Sequence, residues 1–169
     1  MDIYLLWIVV ILALSFDFIN GFHDTANAIA TSVSTRALTP RVAVILAAVM
    51  NFLGAMTFTG VAKTIGGGVA DPSLLENGVI IVIAALVAAI AWNLITWWFG
   101  IPSSSSHALI GSLTGAVIGG AGVGHIKGDG LFDILQALIL SPIIAFALGF
   151  TIMTLFKLIF ASSSPHTVN

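Results

Sequence analysis

Five apolar stretches, at about residues 3–19, 41–61, 79–100, 106–124 and 131–160, take up most of this 169-residue chain. Crossing the hydrocarbon of a bilayer takes roughly 20 apolar residues as a helix, and most of these stretches are near that length. Transmembrane strands would be shorter and would alternate polar with apolar residues, so helices are expected. Composition agrees: 59% of residues are hydrophobic and 7% charged, with a mean hydropathy of +1.14, whereas about a quarter of the residues of soluble domains are charged. The expected fold is an all-α integral membrane protein with about five transmembrane segments over residues 1–161, followed by a polar tail at 162–169.

Several function classes fall away on the same evidence. The chain has no cysteine, which removes disulfide frameworks and thiolate metal sites. Its net charge is −2, and no basic cluster points to nucleic acid or to a strong anionic-lipid anchor, so membrane lipid is the expected surrounding. The first stretch opens with Met1-Asp2, lacks a basic leader and has no cleavage site, and is expected to remain as a helix. Arg36 and Arg41 flank a polar break and place it on the cytoplasmic side, with the amino terminus outside. Further breaks run from Lys63 to Asn77 and from Gly119 to Gly130. Ser141-Pro142 interrupts the last stretch, which is one kinked helix or two shorter pieces.

Polar residues inside the greasy segments carry the functional signal. Asp17, Asn20, Asp24, Asn27 and Thr31 are spaced 3, 4, 3, 4 and share one helix face. Hydrocarbon penalises such groups by on the order of several kcal/mol each, so the stripe needs something polar to face. No Lys or Arg lies within ten residues of Asp24. Its carboxylate therefore needs a cation, a proton or a donor from a distant helix. The first two describe a coupling-ion site; the plainer alternative is a protonated Asp bonded to a neighbouring helix. His23, beside it, suits proton relay, a divalent metal or a structural hydrogen bond. Gly21 allows either a local break in the helix or a close helix contact.

A second constellation is Gly100-Ile101-Pro102-Ser103-Ser104-Ser105-Ser106-His107. Proline near a first helical position, with serines to cap it, marks a helix start, where unpaired N–H groups and the dipole attract anions. The segment either begins a span or forms part of a re-entrant hairpin. Its hydroxyls suit an oxyanion, or one serine caps and the rest lie in a loop. Beyond it, His107, Gly111, Gly115 and Gly119 recur every fourth residue as a small-residue ridge for helix packing. Asn51, and Asn93 with Thr96, sit at depths suited to a central site or to interhelical hydrogen bonds. Trp92, Trp97 and Trp98 fit an interfacial belt. An intramembrane hydrolase using Ser106, His107 and Asp24 is disfavoured, because adjacent helical residues diverge and no Gly-x-Ser-x-Gly elbow occurs.

Gly21-Phe22-His23-Asp24-Thr25-Ala26-Asn27-Ala28, followed by Pro102-Ser103-Ser104-Ser105-Ser106-His107-Ala108-Leu109-Ile110-Gly111, resembles the inorganic phosphate transporter family, most strongly its bacterial low-affinity members. The likeness covers roughly residues 7–160. It implies no enzyme but a multi-pass secondary transporter of the cell membrane, working by alternating access. Such a transporter is built from two inverted repeats, each with a broken first helix and a serine-rich re-entrant hairpin around a phosphate site. Carried over, Asn27, Thr31, Ser104, Ser105 and Ser106 would bind inorganic phosphate. Asp24, with Asn20, His23, Asn51 and Asn93, would serve the coupling ion, and Asp24 would also meet any metal. No tightly bound cofactor is implied; the coupling cation is a proton, sodium or a divalent metal travelling with phosphate. Sodium-coupled eukaryotic members place a glutamate at Asn51, so the resemblance favours protons or a metal-phosphate complex. Each motif occurs once, so the expected partner is a second half-transporter or a second copy of the chain. The alternative is a non-transporting subunit, or a fragment, that assembles with a complete permease.

Overall fold

The computed structural model describes residues 3–57, 60, 67–71, 73 and 75–161; Lys63 and the expected polar tail at 162–169 lie outside the described residues. Among the described residues, five long α-helices follow in order: α1 (Ile3–Ser34), α2 (Pro40–Thr57), α3 (Gly78–Trp98), α4 (Ser105–Ala121) and α5 (Gly128–Ile159), with a 3-10 turn at Val123–His125 before α5. No strand occurs among the described residues. α1, α2, α3 and α5 are long and apolar enough to cross a membrane. The 17-residue α4 is not among these four. Gly122, at φ 93°, ends it short of the apolar stretch expected to run to residue 124. The chain divides into two compact units, Met1–Leu131 and Phe132–Asn169.

In the first unit the expected break in the first helix is absent. α1 runs unbroken through Gly21 for 32 residues. A glycine inside a helix costs only about 1 kcal/mol, and lipid offers no substitute partner for the backbone groups that a break would free. Close packing does not explain Gly21 either, since a Cβ there would meet nothing within 4 Å. At 1.5 Å per residue α1 is about 48 Å long, beyond the roughly 30 Å of hydrocarbon, and so delivers Arg36 to a polar edge. There Arg36 takes φ 61°, its N–H bonds Val33 O at 3.0 Å, and Leu38 N–H bonds Ser32 O at 3.1 Å. Pro40, which needs no N–H partner, then starts α2.

The loop between α3 and α4 sets the serines in place. Gly100 adopts φ 63°. Its N–H bonds Trp97 O at 3.1 Å, and Ile101 N–H reaches back to Thr96 O at 2.8 Å. This pair of bonds is the Schellman stop, which requires a left-handed residue and so favours glycine. Pro102 follows, and Ser104 caps α4, its hydroxyl accepting His107 N–H at 3.4 Å. The antiparallel α3–α4 pair packs Ile81, Ala85, Ala89, Asn93 and Thr96 of α3 with Ser105, Ala108, Leu113 and Val117 of α4 as buried residues. The expected glycine ridge is not used here: Gly111, Gly115 and Gly119 face open space. It is Gly120 that admits the neighbouring helix, since a Cβ there would lie 2.8 Å from the Ile81 side chain.

Residues 67–71 pack against the start of α5. Lys127 N–H bonds Val69 O at 2.9 Å, its ammonium bonds Gly67 O at 3.0 Å, and Val69 and Ala70 are fully buried. Gly130 touches the Gly68 carbonyl, where a Cβ would collide with backbone. Gly130→Ala is therefore expected to destabilise the protein by about 1–3 kcal/mol through overpacking. A denaturation midpoint equal to that of the wild type would show that this contact is absent. Beside it, the Asp71 carboxyl is held below its ordinary range by the Ser73 hydroxyl at 2.5 Å and the Ser73 N–H at 3.1 Å, with Lys127 adding attraction. These bonds persist at neutral pH and are lost only as pH falls through that lowered value.

In the second unit α5 continues through Pro142 as one helix, which settles the choice left open at Ser141-Pro142. The Ser141 hydroxyl bonds Ala137 O at 2.6 Å. Phe146 stacks on Phe150, and Phe156 on Phe160, at the i, i+4 spacing.

Candidate functional site

Asn20, His23 and Asp24 lie on successive turns of α1, Thr96 near the end of α3, and Ser105 on the first turn of α4. These five side chains form one hydrogen-bonded cluster. The Ser105 hydroxyl reaches both Asn20 Oδ1 and Asp24 Oδ2. One hydroxyl carries one proton, so Ser105 donates to one of these oxygens at a time. Ser105 and His23 are buried, whereas the Asp24 side chain remains 43% exposed. The open side of Asp24 leaves room for a further ligand.

Thr96 Oγ1 lies 2.9 Å from Trp92 O, 3.1 Å from Asn93 O and 3.3 Å from His23 Nε2. On the other side of the ring, His23 Nδ1 lies 3.0 Å from Asp24 Oδ1. Thr96→Val keeps the shape but leaves the buried Nε2 unpaired, at an expected cost of about 1–3 kcal/mol. Thr96→Ser should retain stability, and equal melting of the Val variant and wild type would remove this bond from the account.

Asn93 adds an unusual feature. It is 0% exposed, and among the described residues neither its Oδ1 nor its Nδ2 has a hydrogen-bond partner. Buried carboxamides are normally satisfied, so Asn93 has capacity for a small polar ligand.

The remaining expected residues lie apart from this cluster. Asn27 and Thr31 are exposed further along α1, and Asp17 is exposed one turn before Asn20. Asn51 is exposed on α2 and donates to Ala47 O of its own helix at 2.9 Å. The three serines separate because consecutive helical residues point about 100° apart. Ser105 turns into the cluster and Ser106 is exposed. Ser104 lines a groove of about 720 Å³ with Trp92, Ser103, His107, Gly111 and Ser112. In that groove the Trp92 indole N–H bonds Ser103 Oγ at 3.1 Å; elsewhere Trp97 meets Phe22 edge-to-face at 5.5 Å. Both tryptophans thus have internal partners besides any interfacial role. Thr96 was the residue that sequence reasoning undervalued; its signal was the Asn93-x-x-Thr96 pair in an otherwise apolar helix. Among the described residues no group of three or more His, Asp or Glu converges on a metal position.

Comparison with known proteins places these residues in a family context. Residues 20–168 match the phosphate transporter family. The whole chain is 65% identical to a probable low-affinity inorganic phosphate transporter of Bacillus subtilis (strain 168), covering 51% of that protein. Over 83% of the chain it is 42% identical to the low-affinity inorganic phosphate transporter PitA of Escherichia coli (strain K12), covering 30% of it. Among solved structures it resembles one titled "The sodium-dependent phosphate transporter", with a TM-score of 0.85 and 30% identity over 96% of this chain and 42% of the other. The chain thus spans about half the length of the Bacillus relative. With four helices able to span a bilayer, it is a multi-pass protein of the cell membrane. Matched over 149 of its 169 residues, from 20 to 168, the chain belongs to the phosphate transporter family.

Proposed function

We propose that this chain takes part in secondary transport of inorganic phosphate, moving the anion together with a cation held at Asp24. The observation that carries this reading is the hydrogen-bonded series Ser105–Asp24–His23–Thr96, which joins a hydroxyl at a helix start to a carboxylate and an imidazole. Hydroxyls at the start of α4 suit an oxyanion. The carboxylate suits a cation, and the imidazole of His23 beside it favours a proton as that cation, with sodium or a metal-phosphate complex as the other choices. Asn20 and Asn93 would complete the cation's surroundings, and Asn27, Thr31, Ser104 and Ser106 would reach phosphate from the open faces of α1 and α4. Alternating access of this surface supplies the transport step.

A second reading is supported by length. Because the chain spans about half of the Bacillus relative, it would supply one inverted repeat and need a second half-transporter or a second copy to enclose the site. Otherwise it is a membrane subunit without transport of its own. Exposed Asn27, Asn51 and Thr31 on membrane-length helices favour a covering protein surface over lipid. Uptake of radiolabelled phosphate into proteoliposomes holding the chain alone, with an imposed proton gradient and sulfate as competitor, tests both. Gradient-dependent uptake that sulfate fails to block supports a self-assembled phosphate carrier. No uptake by folded protein supports the incomplete half or the subunit.

A further inference from the structure

We propose that Asn93 holds one buried water molecule between α3 and α4, opposite Ala108, and that this water rather than a bare ion is its ligand. The inference rests on the packing of these two helices and stands whether or not the chain carries phosphate.

The side chain states what its ligand must do. Asn93 is 0% exposed, and neither its Oδ1 nor its Nδ2 has a hydrogen-bond partner. A carboxamide offers two hydrogens at one end and two lone pairs at the other. Turning the amide over exchanges the two ends and leaves the deficit unchanged. Its helix is long and apolar enough to cross a membrane, so lipid offers no partner in exchange, and an unpaired buried amide costs free energy that folded proteins avoid. The ligand must therefore both donate and accept. Sodium or another metal ion satisfies Oδ1 and repels the Nδ2 hydrogens. A phosphate oxygen satisfies Nδ2 and repels Oδ1. Water does both, and one molecule closes a ring with the carbonyl and the N–H on its side of the amide.

Helix register shows where the water sits. Gly120 of α4 lies against the Ile81 side chain of α3. The two helices are antiparallel and rise equally per residue. Twelve residues along α3 from Ile81 stands Asn93, and twelve residues back along α4 from Gly120 stands Ala108. The same register sets Thr96 level with Ser105, in agreement with the bonds that both make to the His23–Asp24 pair of α1. A helical side chain leans back over the turn before its own, and for Asn93 the buried residue of that turn is Ala89, itself 0% exposed. Asn93 thus stands between two alanines, Ala89 and the buried Ala108. Methyl groups are the least that side chains other than glycine's put around a carboxamide, and a buried water needs no more room than about one probe sphere and two or more polar partners. In the transport reading, Asn93 then meets the coupling cation through this water.

The test is solid-state NMR of the full 15N-labelled chain in lipid bilayers, reading magnetisation transfer from water to the Asn93 side-chain amide, whose signal is identified by its loss in Asn93→Leu. Wild type is expected to show the transfer, equally in sodium and in choline buffer. Absence of transfer overturns the proposal, as does an amide signal that shifts when choline replaces sodium, which would assign an ion instead. Ala108→Val and Ala108→Thr then test the place. They share one shape and differ in a hydroxyl. The valine fills the space and is expected to abolish the transfer and lower the melting temperature, because the carboxamide is left unpaired. The threonine puts a hydroxyl where the water was and should melt above the valine variant. Transfer that persists in Ala108→Val, or a threonine variant that melts at or below the valine one, overturns the site opposite Ala108. Should neither variant fold, the wild-type transfer decides.

Discussion

Asp24→Asn is expected to abolish concentrative phosphate uptake in proteoliposomes. The variant is nearly isosteric and can still bond the Ser105 hydroxyl through its carboxamide oxygen, so the tie between α1 and α4 survives. What it lacks is charge. It cannot take up a proton at neutral pH, and it cannot neutralise a metal or sodium ion. Hydrogen bonds to charged groups are worth about 1.5–3 kcal/mol, which corresponds to tenfold to a hundredfold in cation affinity. A gradient of that cation then no longer drives the anion. Counterflow exchange of phosphate, which needs no cation gradient, should persist, and the contrast between the two assays separates a coupling defect from a folding defect. Retained concentrative uptake would remove Asp24 from this role.

Ser105→Ala should produce the other large effect, on stability as well as on phosphate affinity. The Ser105 hydroxyl is buried and ties α4 to both Asn20 and Asp24 of α1. Deleting it leaves these two acceptors one donor short, at about 0.5–1.5 kcal/mol because the Asp24 side chain is 43% exposed and keeps its His23 contact. A double-mutant cycle with Asp24→Asn isolates the pair. An interaction energy of about 0.5–3 kcal/mol is expected from residues in direct contact. Additive effects would show that the two side chains do not act on one another, and would leave Ser105 as a helix-start residue alone.

Much of the arrangement could be read along the chain. The 3, 4, 3, 4 spacing of the stripe on α1 places Asn20 and Asp24 on one face, and a helix start after Pro102 follows from the proline and the serines. What could not be read was which polar residues meet. Asn27 and Thr31 share the stripe with Asp24 yet stay exposed, whereas Ile19 and His23 are the buried residues of α1. Ser104, Ser105 and Ser106 are chemically alike, and the rotation of α4 alone sends Ser105 inward. The glycine ridge misled for the same reason: a four-residue repeat says that a face is small, and says nothing of whether a helix lies against it. Gly120, outside the repeat, is the residue that a neighbour requires.

By itself the sequence determined the class of the protein. Its long apolar stretches are insoluble except as membrane helices, and its loops break where glycine, proline and arginine stand. It also determined the chemistry on offer, because carboxylate, imidazole and hydroxyls occur in segments where hydrocarbon would exclude them without a purpose. The tertiary structure decided the rest. It decided that α1 passes unbroken through Gly21, that Thr96 rather than Asn51 joins the cluster, and that Asp24 takes the hydroxyl of Ser105. The physical reason is that hydrogen bonds across 81 residues of chain depend on helix rotation and register. These are set by the summed packing of many apolar side chains, to which no single motif gives access.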